Sequence, residues 1–138
     1  MPQRLFDAIE SHARTERPRE CCGVLIGVPG QVLEARPAAN LSPDPNRYEL
    51  DPRVHVAAIR DTRGSGREVV GFYHSHPHSA PVPSARDLAE STYPELVHVI
   101  VGFVRAREEG DRAEIRAYRL LGDRFREVRL DVAPAAAS

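Results

Sequence analysis

Residues 21–28, from Cys21 to Val28, and residues 96–104, from Leu96 to Val104, are nearly unbroken apolar runs. A bilayer span needs about 20 apolar residues and a buried helix at least about 10, so both runs are too short for either. Short runs rich in valine and isoleucine and bounded by turn residues suit strands covered on both faces. Residues 68–75 read as a third strand, so the chain must build a sheet and cover it. Helices supply the cover. Leu5, Phe6, Ile9 and Ala13 fall at helical spacing over residues 3–14, and Pro18 closes that segment. Asp51-Pro52 marks a second helix start, with Asp51 as cap and Pro52 at the first helical position. Its apolar face carries Val54, Ala57, Ala58 and Ile59, and Gly64-Ser65-Gly66 ends it. Residues 84–91 predict a third, short helix.

The connections follow from turn chemistry. Pro29-Gly30 turns the first strand back into a hairpin arm at 31–36. Residues 37–47, with Pro37, Pro43 and Pro45, read as a loop, and Tyr48–Leu50 as a short strand. Residues 105–111 form a charged loop. Ala113, Ile115 and Ala117 then alternate before Tyr118 and Leu120 take the opposite phase, which predicts a bulge near Ala117. Gly122-Asp123 predicts a terminal hairpin. The expected architecture is α/β (α+β): one mixed β-sheet flanked by helices in a single domain over residues 1–133, with a frayed tail at 134–138.

A chain of 138 residues suits one core. Arginine supplies all 19 basic residues, 20 acids oppose them, and the net charge of -1 argues against a nucleic-acid binder and against an acidic solvating tail. The first ten residues hold no long apolar segment, so no signal peptide or membrane span is expected. Cys21 and Cys22 are sequence neighbours, a poor geometry for a disulfide, and the expectation is a reduced, cytoplasmic protein.

One constellation carries chemistry: His74-Ser75-His76-Pro77, then Ser84 and Asp87. Residues two apart on a strand face the same side, so His74 and His76 present two imidazoles to one point. Pro77 has no amide proton for a ladder and ends the strand. Ser84 and Asp87 share a face of one helical turn. Two neutral imidazoles and one carboxylate form a catalytic zinc set with the fourth position left to water. The same three groups also make the non-haem iron triad, but those enzymes are all-β barrels, and the alternating pattern here argues against one. Ser84-x-x-Asp87 is in addition a capping box. His55 and His98 read as structural, and His78 as solvated. A metal-bound water needs a base, for which spacing alone leaves Glu20, Glu34, Glu49 and Glu68 open.

The segment Gly71-Phe72-Tyr73-His74-Ser75-His76-Pro77 through Ser84-x-x-Asp87 resembles the JAMM, or MPN-plus, zinc metalloproteases. Their pattern is His-x-His-Pro, six residues, Ser-x-x-Asp, and residues 78–83 fill the six-residue gap. Pro18-Arg19-Glu20-Cys21-Cys22-Gly23 is similar to the upstream glutamate segment of small bacterial members, and Tyr48-Glu49-Leu50-Asp51-Pro52 to their middle junction. The resemblance implies a cytidine-deaminase-like fold and one zinc per chain on His74, His76 and Asp87. It further implies Glu20 as general base and then acid, and Ser84 at the oxyanion. The implied partner is a small ubiquitin-like sulfur-carrier protein with a Gly-Gly C-terminus, cut after that Gly-Gly by a monomer or homodimer. RadC-like proteins carry a similar motif but usually add an N-terminal domain. A non-catalytic MPN-type scaffold would be expected to lack a ligand or the glutamate. Nucleoside deaminases need a Cys-x-x-Cys pair, which Cys21-Cys22 is not.

Overall fold

A computed structural model of the chain describes residues 1–90, 93–106 and 110–134. The elements run α1 (Gln3–Glu16), β1 (Cys22–Val28), β2 (Gln31–Ala38), α2 (Pro52–Thr62), β3 (Glu68–Ser75), α3 (Ala85–Glu90), β4 (Val97–Ala106), β5 (Gly110–Leu121) and β6 (Arg124–Val128). The six strands form one sheet in the order β2-β1-β3-β4-β5-β6. The β3–β4 pair is parallel and the others are antiparallel, so the sheet is mixed as expected. The parallel crossover from β3 to β4 contains α3, because parallel neighbours cannot be joined by a tight turn.

Each face of the sheet has its own core. Leu5, Ile9 and Ala13 of α1 pack on Leu25, Tyr73, Val99 and Val101. Ala58 of α2, with Val54 beside it, packs on Val24, Ile26 and Phe72 of the other face. Strand alternation then settles where the chemistry lies. Tyr73 points to the α1 face, so His74 points to the α2 face, together with His98 and Ile100 of β4. The α2 cap forms as the sequence predicts: the Asp51 side chain accepts from the Arg53 amide and Pro52 opens the helix.

Four expectations change. Tyr48–Leu50 is not a strand; an isolated bridge joins Asn40 and Leu50, held by the Leu41 amide on the Glu49 carbonyl at 2.8 Å and the Asp51 amide on the Ala39 carbonyl at 3.1 Å, and Asn40 Oδ1 accepts the Glu49 amide. There is no bulge at Ala117, which pairs in register with both Val99 and Val128. The apolar phase switches because the covered face changes. Ala117 lies under the α1 core, whereas Tyr118 packs near Phe125 and donates its hydroxyl to the Pro81 carbonyl at 2.7 Å on the other side. The bulges sit instead on the two neighbours of β1: Leu33 of β2 is skipped between Ile26 and Gly27, and Val70 of β3 between Leu25 and Ile26. The hairpin arm β2 also runs on through Pro37, which an edge strand tolerates because no partner needs its missing N–H. Of the expected 105–111 loop, Arg105 belongs to β4 and Gly110 and Asp111 to β5; residues 107–109 lie outside the described residues, as do residue 91 of the short helix and 135–138 of the tail.

Beyond the end of β3 the chain keeps hold of β4. His76 donates its amide to the Val101 carbonyl at 2.8 Å, and the Phe103 amide donates to Ser79 at 2.8 Å. Residues 79–81 therefore lie flat on Gly102, where a Cβ would come within 2.6 Å of the Ser79 carbonyl oxygen. Gly102→Ala should lower the denaturant midpoint by an amount equivalent to about 1–3 kcal/mol, with the slope unchanged, because backbone rather than a flexible side chain has to move. Both cysteines are buried free thiols, and burial pushes Cys21 up to about 11 and Cys22 up to about 12. Iodoacetamide at pH 8 should leave both unlabelled in native buffer and alkylate both in denaturant, as read by intact mass.

Candidate metal centre

The centre assembles from three parts of the chain. In the β1–β3 register Cys22 lies opposite His74. Carrying that antiparallel register onward sets Cys21 opposite Ser75 and Glu20 opposite His76. Two short bonds confirm the pairing: Ser75 donates its amide to the Cys21 carbonyl at 3.1 Å, and the Cys21 amide donates to Ser75 Oγ at 2.8 Å. Glu20 shares the face of Val24 and Ile26 by alternation, which is the face of His74.

Asp87 arrives from α3. Its amide donates to Ser84 Oγ at 3.1 Å while the Ser84 amide donates to Asp87 Oδ2 at 2.8 Å, a reciprocal capping box. The same carboxylate reaches both imidazoles: Oδ1 lies 3.2 Å from His74 Nε2 and Oδ2 3.1 Å from His76 Nε2. Capping and facing the histidines are thus one conformation of one side chain. The two Nε2 atoms are 3.3 Å apart. Potential ligand atoms of Glu20, His74, His76 and Asp87 all lie within 4.8 Å of one another, a group that could hold a metal ion.

The surroundings tune this group. His76 Nδ1 lies 3.1 Å from the Ala80 carbonyl. Donation to that carbonyl leaves the Nε2 lone pair facing the cluster. Burial disfavours a charge on His76 and is the strongest single influence, but the hydrogen bond and charge of Asp87, the Ala80 carbonyl and the Glu20 charge together outweigh it and raise the imidazole above its ordinary value. Burial likewise works against the Asp87 carboxylate, and hydrogen bonds from His74 and His76 outweigh it and hold the group ionised far below the usual carboxylate range. Beside burial, both shifts record chiefly the pairing of the imidazoles with the Asp87 carboxylate.

Of the four candidate glutamates, only Glu20 joins the cluster. Glu34 pairs with Arg36 on β2, Glu68 is exposed at the start of β3, and Glu49 lines a cavity beside the centre. His55 meets Phe72 and Tyr93 edge-on, and His98 sits 3.4 Å from the Tyr93 carbonyl, both outside the cluster. Burial lowers both. His78 lines a second cavity with Glu20 and His76. Sequence reasoning missed Tyr48, whose ring stacks on His74 at 4.6 Å between centroids and 21° between planes. Its position 26 residues before His74, inside a proline-rich loop, carries no periodic signal that could have found it.

Two cavities meet at the centre. The larger, about 630 Å³, is lined by Phe72, Tyr93, His98, Ile100 and Phe125 and reaches His74 and Asp87. The smaller, about 440 Å³, holds Glu20, His76, Ser84 and Arg86. Arg47, Tyr48 and Asp87 line both, so the loop at 41–50 stands over the junction.

Comparison with known proteins agrees with this geometry. Residues 2–121 match the family model described as prokaryotic homologs of the JAB domain. A desampylase of Haloferax volcanii is 38% identical over 133 residues, which cover 91% of this chain and 90% of the relative. A CysO-cysteine peptidase of Mycobacterium tuberculosis is 32% identical over 119 residues, 85% of this chain and 79% of the relative. A solution structure of a Desulfitobacterium hafniense protein superposes with a TM-score of 0.82 at 26% identity, over 96% of this chain and 91% of that one.

Proposed function

This chain belongs to the prokaryotic homologs of the JAB domain, and from that premise we propose that it is a zinc-dependent hydrolase that cuts after the C-terminal Gly-Gly of a small ubiquitin-like sulfur-carrier protein. The observation that carries the reading is the convergence of Glu20, His74, His76 and Asp87 within 4.8 Å. The names of two relatives, desampylase and CysO-cysteine peptidase, support the substrate class. The catalytic domain is residues 1–133. Buried free thiols suit a reducing compartment, the cytoplasm. Among the described residues no helix is long and apolar enough to cross a membrane.

The donor set fits the metal. Two imidazole nitrogens 3.3 Å apart, with one carboxylate that sets Oδ1 3.2 Å from one and Oδ2 3.1 Å from the other, are the donor types of an open tetrahedral zinc site. His74, His76 and Asp87 fill three positions. Zinc bound there would acidify a water and polarise the scissile carbonyl. The chain's own groups do the rest. Glu20 takes the proton that the water loses and passes it to the departing amine. Ser84 Oγ accepts the Asp87 amide, and its hydroxyl proton is donated to the carbonyl oxygen as charge develops there. Hydrogen bonds from His74 and His76 hold the Asp87 carboxylate ionised, the form in which it would bind zinc. Tyr48 shields one face of His74 from water. The two cavities on either side of the centre admit an extended tail, with glycines at the narrow junction beneath the 41–50 loop.

Elemental analysis should find one zinc per chain, and none in His74→Ala/His76→Ala. Protons compete with the metal for imidazole, and Asp87 strengthens proton binding at His76, so zinc content should fall as pH drops through about 6.5. A carrier bearing one extra residue after Gly-Gly should lose that residue by mass spectrometry on incubation with the zinc-loaded enzyme. Glu20→Gln should keep its zinc and lose roughly 100-fold or more in turnover. Ready cutting of unrelated unfolded peptides while every extended carrier from the same cell stays intact would overturn the assignment.

A further inference from the structure

Glu20 precedes β1, so the ladder does not hold its peptide group. Its backbone is tied to the rim loop instead. The Glu20 amide donates to the Pro45 carbonyl at 3.1 Å, and the Glu20 carbonyl accepts from Asn40 Nδ2 at 2.9 Å. Asn40 makes three further bonds. Nδ2 also donates to the Arg47 carbonyl at 2.9 Å, and Oδ1 accepts the Ser42 and Glu49 amides, each at 3.0 Å. A carboxamide has two N–H donors and two carbonyl lone pairs, and all four are used. Aspartate would lose both donors, and serine offers too few groups to reach four partners.

From this arrangement we propose that Asn40 is a positioning residue: it locks the Glu20 peptide to the 41–50 loop and so aims the Glu20 carboxylate at the His74–His76–Asp87 cluster. The proposal deepens the hydrolase reading and rests on it. Cys21 is already clamped to Ser75 on its other side. With the Asn40 and Pro45 bonds in place, the peptide units flanking Glu20 are held on both sides, and side-chain rotation is the main freedom left to the carboxylate. The same Asn40 bonds shape the loop that carries Tyr48 over His74, so the base and the cover of the centre share one anchor. A general base acts only within hydrogen-bond reach of its proton, and a displacement of about 1 Å can cost roughly 100-fold.

The test compares Asn40→Ala, Glu20→Gln and the double variant. Asn40→Ala should keep full zinc content and lower kcat roughly 10- to 100-fold, a larger change than in KM. Because Asn40 acts through Glu20, adding Asn40→Ala to Glu20→Gln should cost less than about a further twofold. A purely structural asparagine would instead multiply the two losses, or leave kcat of the folded enzyme unchanged; either result refutes the proposal. If Asn40→Ala does not fold, Asn40→Asp keeps both acceptors, removes the two donated bonds, and should show the same non-additivity. Hydrogen exchange on the zinc-free protein reads the clamp without activity. The Glu20 amide should exchange faster in either Asn40 variant, and the Glu49 amide in Asn40→Ala, while Val24 and Leu25 stay protected. Unchanged Glu20 exchange overturns the clamp. A wild-type protein that cuts no carrier, yet shows the exchange change, overturns the hydrolase reading and with it the catalytic role of Asn40, while identifying which of the two failed.

Discussion

The centre depends on β4 outrunning β3. The parallel ladder between them ends at Ser75 and Val101, but β4 continues to Ala106 and leaves backbone groups that need partners. Residues 76–79 supply them through the His76 and Phe103 amide bonds, and residues 79–81 settle on Gly102. Everything that follows inherits this placement. His76 is held as if the strand went on, the Ala80 carbonyl meets its Nδ1, and Pro81 is anchored by Tyr118. The chain is thereby delivered to Ser84, where α3 starts with Asp87 facing back over the strand end.

Around that scaffold the electrostatics run against ordinary burial. Glu20 and His74 are buried, and the side chains of His76 and Asp87 are almost so. Charged groups are costly away from water unless they are paired or coordinate a metal. Here two carboxylates and two imidazoles converge on one point. The raised His76 and strongly lowered Asp87 record the hydrogen bonds and opposite charges that pair imidazole with carboxylate. The four side chains could hold a divalent cation, whose charge would offset the two carboxylates.

Much of the site was legible because its information is local. Two histidines two apart on a strand share a face whatever the strand packs against, and Ser84-x-x-Asp87 closes a capping box within one helical turn. Asp51-Pro52 announced α2 for the same reason. The errors came where covering elements override periodicity. The apolar phase change at Ala117 looked like an inserted residue, yet it marks the point where the α1 core gives way to Pro81 and Phe125 on the opposite face. Tyr48–Leu50 looked like a strand, yet it forms a single bridge to Asn40, whose side chain takes the Glu49 amide.

The sequence by itself determined that the chain folds as a mixed sheet with helical cover, and that His74, His76 and Asp87 can converge, since those facts follow from spacings of two, three and about ten residues. Spacing left the glutamate open and only the family resemblance pointed to Glu20; tertiary structure brings Glu20 to the cluster, stacks Tyr48 on His74 and ties Asn40 to Glu20. Glu20 and His74, 54 residues apart, meet because β1 lies antiparallel beside β3 with Cys22 opposite His74. Strand order and register arise from the packing of two cores on opposite faces of one sheet, and no local spacing in the chain encodes them.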